Sequence, residues 1–180
     1  MPAKTAKIIL LLGGARSGKS TRAQQMASSL GRRVLFCATA EALDADMKKR
    51  IKQHRRTRPQ SWQTLEAPYC LSTALAPVVN DYDTVIIDCI TLLVSNLMGK
   101  SRVSSKRVQR ADKEINDLID LMQGRKATYI LVSNEVGMGI VPHFRMGRDY
   151  RDMLGKANQR LAAAADEVYL MVAGISTRIK

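Results

Sequence analysis

Residues 13–20, Gly13-Gly14-Ala15-Arg16-Ser17-Gly18-Lys19-Ser20, satisfy the spacing G-x-x-x-x-G-K-[ST] without a mismatch. They follow the apolar run Lys7–Leu12 and precede TRAQQMASSL, so the motif sits between a predicted strand and a predicted helix. Such glycines let the backbone turn until successive N–H groups face phosphate oxygens, and the helix that follows adds its positive N-terminal end. Lys19 is expected to reach the β- and γ-phosphates of a nucleotide, and the Ser20 hydroxyl to ligate Mg²⁺. The plainer alternative, a glycine-rich turn without a ligand, sits poorly with a complete motif in its complete context.

A magnesium-binding loop of this kind needs a carboxylate at the end of another strand. The stretch TVIIDC supplies Asp88 there, whereas Asp81 and Asp83 precede the strand and belong to its opposite end. Asp88 is therefore the expected partner of Ser20 at the metal; capping the next helix is a compatible role. A second strand ends at Ala38-Thr39-Ala40, on the edge where open parallel sheets place their ligands, and Thr39 either bonds the nucleotide or caps a turn. A third ends at Ser133-Asn134-Glu135, which brings further polar groups to that edge.

MKKRIKQHRRTRPQSW, residues 47–62, carries one histidine among many cations. Met47, Ile51 and His54 fall on one helical stripe that Pro59 ends from outside. The bland reading makes His54 a helix-terminal residue packed on that stripe or solvated, and the cations a solvated face. The functional reading makes it a nucleophile for phosphorus. Neighbouring cations favour the neutral, attacking imidazole while a helix C-terminus favours the cation, so electrostatics leaves both readings open. Arginines beside a phosphohistidine would stabilise the transferred phosphoryl oxygens.

The elements that must position these residues alternate. Apolar runs at Lys7–Leu12, Arg33–Ala38, Thr84–Asp88, Thr128–Ser133 and Glu167–Val172 predict buried strands. Helical spacing appears around Ser20–Leu30, Asp44–Gln53, Leu92–Met98, Ser104–Gln123 and Gly147–Ala164. The pattern predicts an α/β fold: a single P-loop NTPase domain over 1–180, RecA-like, its mostly parallel doubly wound sheet covered by helices on both faces. Ile175–Lys180 adds a short edge strand, antiparallel if it forms, and Arg55–Ala67 reads as an irregular excursion cut by prolines.

Bulk composition narrows the classes. The chain has 180 residues, 46% apolar, enough for a substantial core. No apolar run reaches bilayer length and the first ends in the glycine loop, so neither a span nor a signal peptide is expected, and the cytoplasm is the expected compartment. Cys37, Cys70 and Cys89 form no metal-ligand spacing and read as small apolar fillers. The formal net charge of +13 fits an anionic ligand, a nucleic acid or merely a basic surface. With 4% aromatic residues and no basic stretch interleaved with rings, single-strand binding is disfavoured.

GGARSGKS, RIKQHRRTRPQSWQTLEAP, DCIT, VSNEVGMGIVP and NQRLAAAADEVYLMVAGI together resemble the bifunctional adenosylcobinamide kinase/adenosylcobinamide-phosphate guanylyltransferase family, from about Ile8 to the C-terminus. The resemblance implies an enzyme of adenosylcobalamin biosynthesis. It would phosphorylate the aminopropanol hydroxyl of adenosylcobinamide with ATP or GTP, then transfer GMP from GTP to that phosphate, giving adenosylcobinamide-GDP and pyrophosphate. It implies that His54 carries the guanylyl group, and that GTP is contacted at Gly13 to Ser20, at Ala38, Thr39 and Ala40, at Arg55, Arg56, Thr57 and Arg58, at Glu66 and at Asp88. Some relatives carry two adjacent histidines where this chain has Gln53-His54, which leaves one attacker here. The resemblance further implies a homotrimer, in which a neighbouring subunit could complete the corrinoid pocket.

Because His54 and the loop lie on different segments, the helix bearing the histidine is expected to approach the cradle, with nucleotide binding as an occasion for it. For the kinase step Glu135 is the one candidate base, with a structural role in its loop the plainer reading. The basic segment 99–113 matches no motif and receives no catalytic role. His143, after Pro142, reads as a surface residue. Two rivals remain: a P-loop kinase for a small metabolite with His54 structural, and a nucleic-acid-binding NTPase, for which no helix-turn-helix or RNA-binding signature appears.

Overall fold

The structure, a computed structural model, describes residues 6–30, 33–42, 44–56, 58–99 and 104–180, without the side chains of Asp46 and Arg50. In chain order the elements are β1 (Lys7–Gly13), α1 (Lys19–Leu30), β2 (Val34–Ala38), α2 (Ala45–Arg56), β3 (Gln63–Glu66), α3 (Leu71–Leu75), a 3₁₀ turn (Val79–Asp81), β4 (Thr84–Asp88), α4 (Ile90–Met98), α5 (Ser105–Gln123), β5 (Thr128–Val132), α6 (Arg145–Ala164), β6 (Glu167–Val172) and β7 (Ile175–Arg178).

The seven strands form one sheet in the order β3-β2-β4-β5-β1-β6-β7. Every pairing is parallel except β6 with β7. This is the α/β, mostly parallel sheet that the alternating runs predict. β5 lies between the strand feeding the glycine loop and the strand ending at Asp88, with Leu11 opposite Val132 and Asp88 opposite Val132 in their respective registers. The two loops therefore leave the same edge of the sheet two strands apart, close enough for their side chains to meet.

The faces are covered unequally. On one, Ala23 and Ala27 of α1 pack on Ile9, Leu11, Val34, Phe36, Ile86, Ile130 and Val132. On the other, α3, α4, α5 and α6 cover Ile8, Leu10, Leu35, Val85, Ile87 and Leu131. Strands buried on both faces must read as continuous apolar runs, which is why β1, β4 and β5 were plain in the sequence. Each such aliphatic side chain, fully buried, contributes about 1.5–3 kcal/mol relative to exposure.

Two expectations are corrected and one element is added. Arg55–Ala67 is not irregular throughout: α2 runs to Arg56, and Gln63–Glu66 forms β3, an edge strand parallel to β2. Its side chains are largely exposed, so no apolar run announces it; the backbone ladder to β2 makes the strand. Short α3 was also unannounced. Among the cysteines Cys37 is a buried filler and Cys89, just after β4, packs partly buried against the core, whereas Cys70 is exposed just before α3. Local capping accounts for two helix starts: Asp44 Oδ1 accepts the Met47 N–H at 2.7 Å, and the Ser104 side chain accepts from Arg107 N. None of the described side chains of α2 is fully buried, so this helix rests on the body by few contacts.

Candidate active site

The glycine loop is built by close packing against the far end of the sheet. Gly13 has φ 150°, and a Cβ there would lie 2.3 Å from the Met171 carbonyl oxygen. Gly18, at φ 95°, packs against Gly174, where a Cβ would approach the Gly174 Cα to 3.2 Å. The Gly174 N–H donates to the Ser17 carbonyl at 3.0 Å, and the Glu135 N–H to the Gly13 carbonyl at 3.0 Å. The β6–β7 turn and the loop after β5 thus hold the phosphate loop from two sides. Arg16, at φ 58°, sits exposed at its tip.

Lys19 is buried inside this turn. Its Nζ donates to the carbonyls of Gly13 at 2.9 Å and Gly14 at 2.6 Å, and to Ser17 Oγ at 3.3 Å. Burial pulls the ammonium below its ordinary range, while the nearby Cys89 and Asp88 side chains push the other way.

Asp88 closes the second wall. The Ser20 hydroxyl donates to its carboxylate, joining the two residues expected at a metal. Burial pushes the Asp88 carboxyl above the usual range; the Ser20 hydrogen bond opposes this first, then the charges of His54, Arg58 and Lys19. His54 Nδ1 lies 4.0 Å from Asp88 Oδ2, with the imidazole 47% exposed and the carboxylate 12%. The ring therefore stands beside the strand-end carboxylate expected at the metal.

Arg58 is a further cation facing Asp88. Its guanidinium lies 3.4 Å over the centroid of the Phe36 ring, and its buried Nε and Nη1 meet no acceptor among the described residues. Burial pulls its pKa down to about 10, with Asp88 opposing and Arg55 adding to the fall, so it stays charged at neutral pH. Arg55 pairs with Glu66, the last residue of β3, and both remain exposed. Arg56 is exposed, and Thr57 lies outside the described residues.

The strand ends are not all alike. Ala38 and Ala40 are half-buried beside the site, but Thr39 is fully buried. Its hydroxyl accepts the Cys89 N–H at 2.8 Å and donates to the Cys89 carbonyl at 2.7 Å, while Asn96 Nδ2 binds the Thr39 carbonyl at 2.8 Å. These bonds are neither of the two roles read from the sequence: the side chain ties the end of β2 to the residue that follows β4. Glu135 likewise spends Oε1 on the Gly137 N–H, at 2.5 Å, within its own loop. His143 is exposed beside Phe144.

One functional feature escaped sequence reasoning. Asn158 of α6 is buried, accepts from Ser133 Oγ at 2.7 Å and donates to the Asn134 carbonyl at 3.0 Å. Asn134 N donates to Thr91 Oγ1 at 2.6 Å, and Tyr150 Oη to the Thr91 carbonyl at 3.1 Å. This network fixes the root of the loop that supports Gly13. Asn158 is followed by the polar Gln159 and Arg160 in a helical pattern, and nothing local marks it as the one that is buried. Gly174 did carry a signal, as a glycine between two β-like runs.

No group of three or more histidine, cysteine or carboxylate side chains gathers as a metal cage among the described residues. No helix among them is long and apolar enough to cross a membrane. A lysine-bearing glycine turn at a helix start, faced by a strand-end carboxylate hydrogen-bonded to the loop serine, defines the class: a P-loop α/β nucleotide-binding enzyme.

Sequence comparison carries this further. The chain belongs to the cobinamide kinase / cobinamide phosphate guanyltransferase family, whose profile matches residues 9–179. It is 41% identical to the bifunctional adenosylcobalamin biosynthesis protein CobU of Escherichia coli, over 96% of this chain and 99% of that protein. Identity is 42% to the protein of the same name from Salmonella typhimurium, with the same coverage. It is 38% to the bifunctional adenosylcobalamin biosynthesis protein CobP of Pseudomonas aeruginosa, over 95% of this chain and 96% of that protein.

Proposed function

We propose that this protein phosphorylates adenosylcobinamide, with ATP or GTP as donor, and then guanylylates the product with GTP through a covalent intermediate on His54. The family and its bifunctional relatives support the reaction pair. The observation that carries the intermediate is the meeting of three segments: His54 from α2, Asp88 from β4 and Ser20 from the phosphate loop.

In this reading the loop amides of Gly13, Gly14, Ala15, Arg16, Ser17 and Gly18 cradle the β- and γ-phosphates, and Lys19 neutralises them. Ser20 and Asp88 offer two hard oxygen donors, which suits Mg²⁺: it retains several waters and takes its remaining ligands from phosphates. Bound there, Mg²⁺ would supply positive charge against the triphosphate. Arg58, with two buried N–H groups unmet and a ring beneath it, is ready for a phosphate oxygen. Arg55, Arg56, Thr57, Glu66, Ala38 and Ala40 complete the nucleotide contacts.

Nδ1 faces Asp88, and in this reading the ring's Nε2 is the nitrogen that attacks phosphorus. That nitrogen forms a bond to the α-phosphorus of GTP, the bond to the β-phosphate oxygen breaks, and pyrophosphate leaves. A phosphate oxygen of adenosylcobinamide phosphate then attacks the same phosphorus, the N–P bond breaks and the histidine is restored, with adenosylcobinamide-GDP as product. Lys19 and the loop amides stabilise the charge that collects on the departing pyrophosphate. One domain serves both steps, in the cytoplasm. As the resemblance implies, it acts as a homotrimer; Val172, Ile175 and Ile179, exposed at the β6–β7 edge, support a covered surface there.

The test is protein labelling by [α-³²P]GTP. The native chain should acquire acid-labile, base-stable label that adenosylcobinamide phosphate discharges. His54→Ala should lose the label and guanylyl transfer while retaining measurable kinase turnover. Label that survives in His54→Ala removes His54 as the carrier.

A further inference from the structure

The loop between β5 and α6 exposes five apolar side chains within nine residues: Met138 (80% exposed), Ile140 (96%), Val141, Phe144 (77%) and Met146. Scattered exposed apolar residues need no account, but a run of this density on one loop does. Its backbone is firmly held. Arg148 Nη1 donates to the carbonyls of Pro142 at 3.0 Å and His143 at 2.6 Å, and the N–H groups of Gly147 and Arg148 both reach the Phe144 carbonyl. His143 and Phe144 pack edge to face with centroids 5.3 Å apart, and Gly147 lies so close to Pro142 that a Cβ there would sit 2.7 Å from the proline Cβ. Phe144 and Met146 are thus presented outward on a held frame, and Met138, Ile140 and Val141 lie exposed on the segment that leads into it.

The place of this frame selects its occupant. Its root, Glu135, is hydrogen-bonded to Gly13 of the phosphate loop, and Asn134 is fixed through Thr91 and Asn158. Five residues separate Glu135 from Ile140, so even an extended chain sets them at most about 18 Å apart. A ligand seated on the loop can therefore also reach the terminal phosphate. We propose that residues 138–146 form the docking surface for the corrin macrocycle of the acceptor substrate, an inference that rests on the function proposed above. A corrin is a broad conjugated ring with a methyl-studded rim and amide arms. Two thioether side chains adapt to such a contour, Phe144 offers a ring, Ile140 and Val141 cover methyl groups, and the exposed backbone around Gly137 and Gly139 is open to amides.

The experiment measures cobinamide binding directly, by equilibrium dialysis followed through corrinoid absorbance, for the full chain and for Ile140→Ser and Phe144→Ala. Each variant should weaken cobinamide binding about tenfold or more, as loss of one apolar anchor predicts. The KM for the nucleotide and the particle mass by light scattering should stay unchanged. Undiminished cobinamide affinity in both variants overturns the proposal. So does a fall in particle mass alongside the lost affinity, which would make the loop an interface between copies of this chain. Native protein that binds cobinamide, loses binding in the variants, yet phosphorylates nothing would sustain the docking surface and overturn the kinase reading instead.

Discussion

His54 Nδ1 and Asp88 Oδ2 stand 4.0 Å apart, although 34 positions, with β3 and α3 among them, separate the residues in the chain. The contact places a half-exposed imidazole against a largely buried carboxylate that Ser20 also holds. The cations Arg58 and Lys19 and the His54 imidazole converge on this one acid. Removing it as Asp88→Asn leaves them without a counter-charge and removes one of two oxygen donors. Both activities should fall at least about a hundredfold, roughly 2.7 kcal/mol of barrier. Steady-state rates across a magnesium titration check this; guanylyl transfer near the native rate would show that the acid is only structural.

Gly13 is the position at which the loop is least tolerant. Gly13→Ala places a methyl group against the Met171 backbone oxygen at a positive φ. The cost should be about 1–3 kcal/mol of stability, read as a lower denaturation midpoint with an unchanged slope. A variant as stable as the parent would mean that β6 gives way easily.

Asn158 should matter to the loop it never touches directly. Asn158→Ala leaves Ser133 Oγ and the Asn134 carbonyl buried without their partner, which costs about 1–3 kcal/mol. Near-native affinity for nucleotide at a temperature where the variant is fully folded would limit its role to stability.

Glu167 sets a pH dependence. Its contact with the Lys7 ammonium, 2.8 Å away, holds the carboxyl below its ordinary range, with Tyr169 and Arg178 adding to the effect against burial. A depressed folded value means the stabilisation is complete above the unfolded pKa and lost as pH falls through the folded one. Since Lys7 is well exposed, the pair is worth only about 0.5–1 kcal/mol. Denaturation of Glu167→Gln should therefore show a deficit of that size at neutral pH and none in strong acid. A deficit that persists in acid would assign the effect to packing.

Glu135→Gln should leave phosphorylation of cobinamide nearly unchanged, because the carboxylate is already committed to the Gly137 N–H. A drop of a hundredfold or more in that step would restore it as a base.

The sequence by itself determined the parts whose signals are local. The phosphate loop was legible because its glycines, lysine and serine are fixed by backbone geometry within eight residues. β1, β4 and β5 were legible because strands buried on both faces must be apolar throughout. Tertiary structure alone decided what depends on neighbours distant in the chain. β3 is a strand because the open edge of β2 pairs with it, not because Gln63-Thr64-Leu65-Glu66 prefers to be one. Thr39 turned inward because Cys89, fifty residues on, offers both halves of a backbone pair. His54, read along its helix alone, favoured a packed or solvated terminus, and it was the family resemblance that made it a nucleophile. Only the folding of α2 back over the sheet edge set it against Asp88, because charge partners are chosen by proximity in space, which spacing along one helix does not encode.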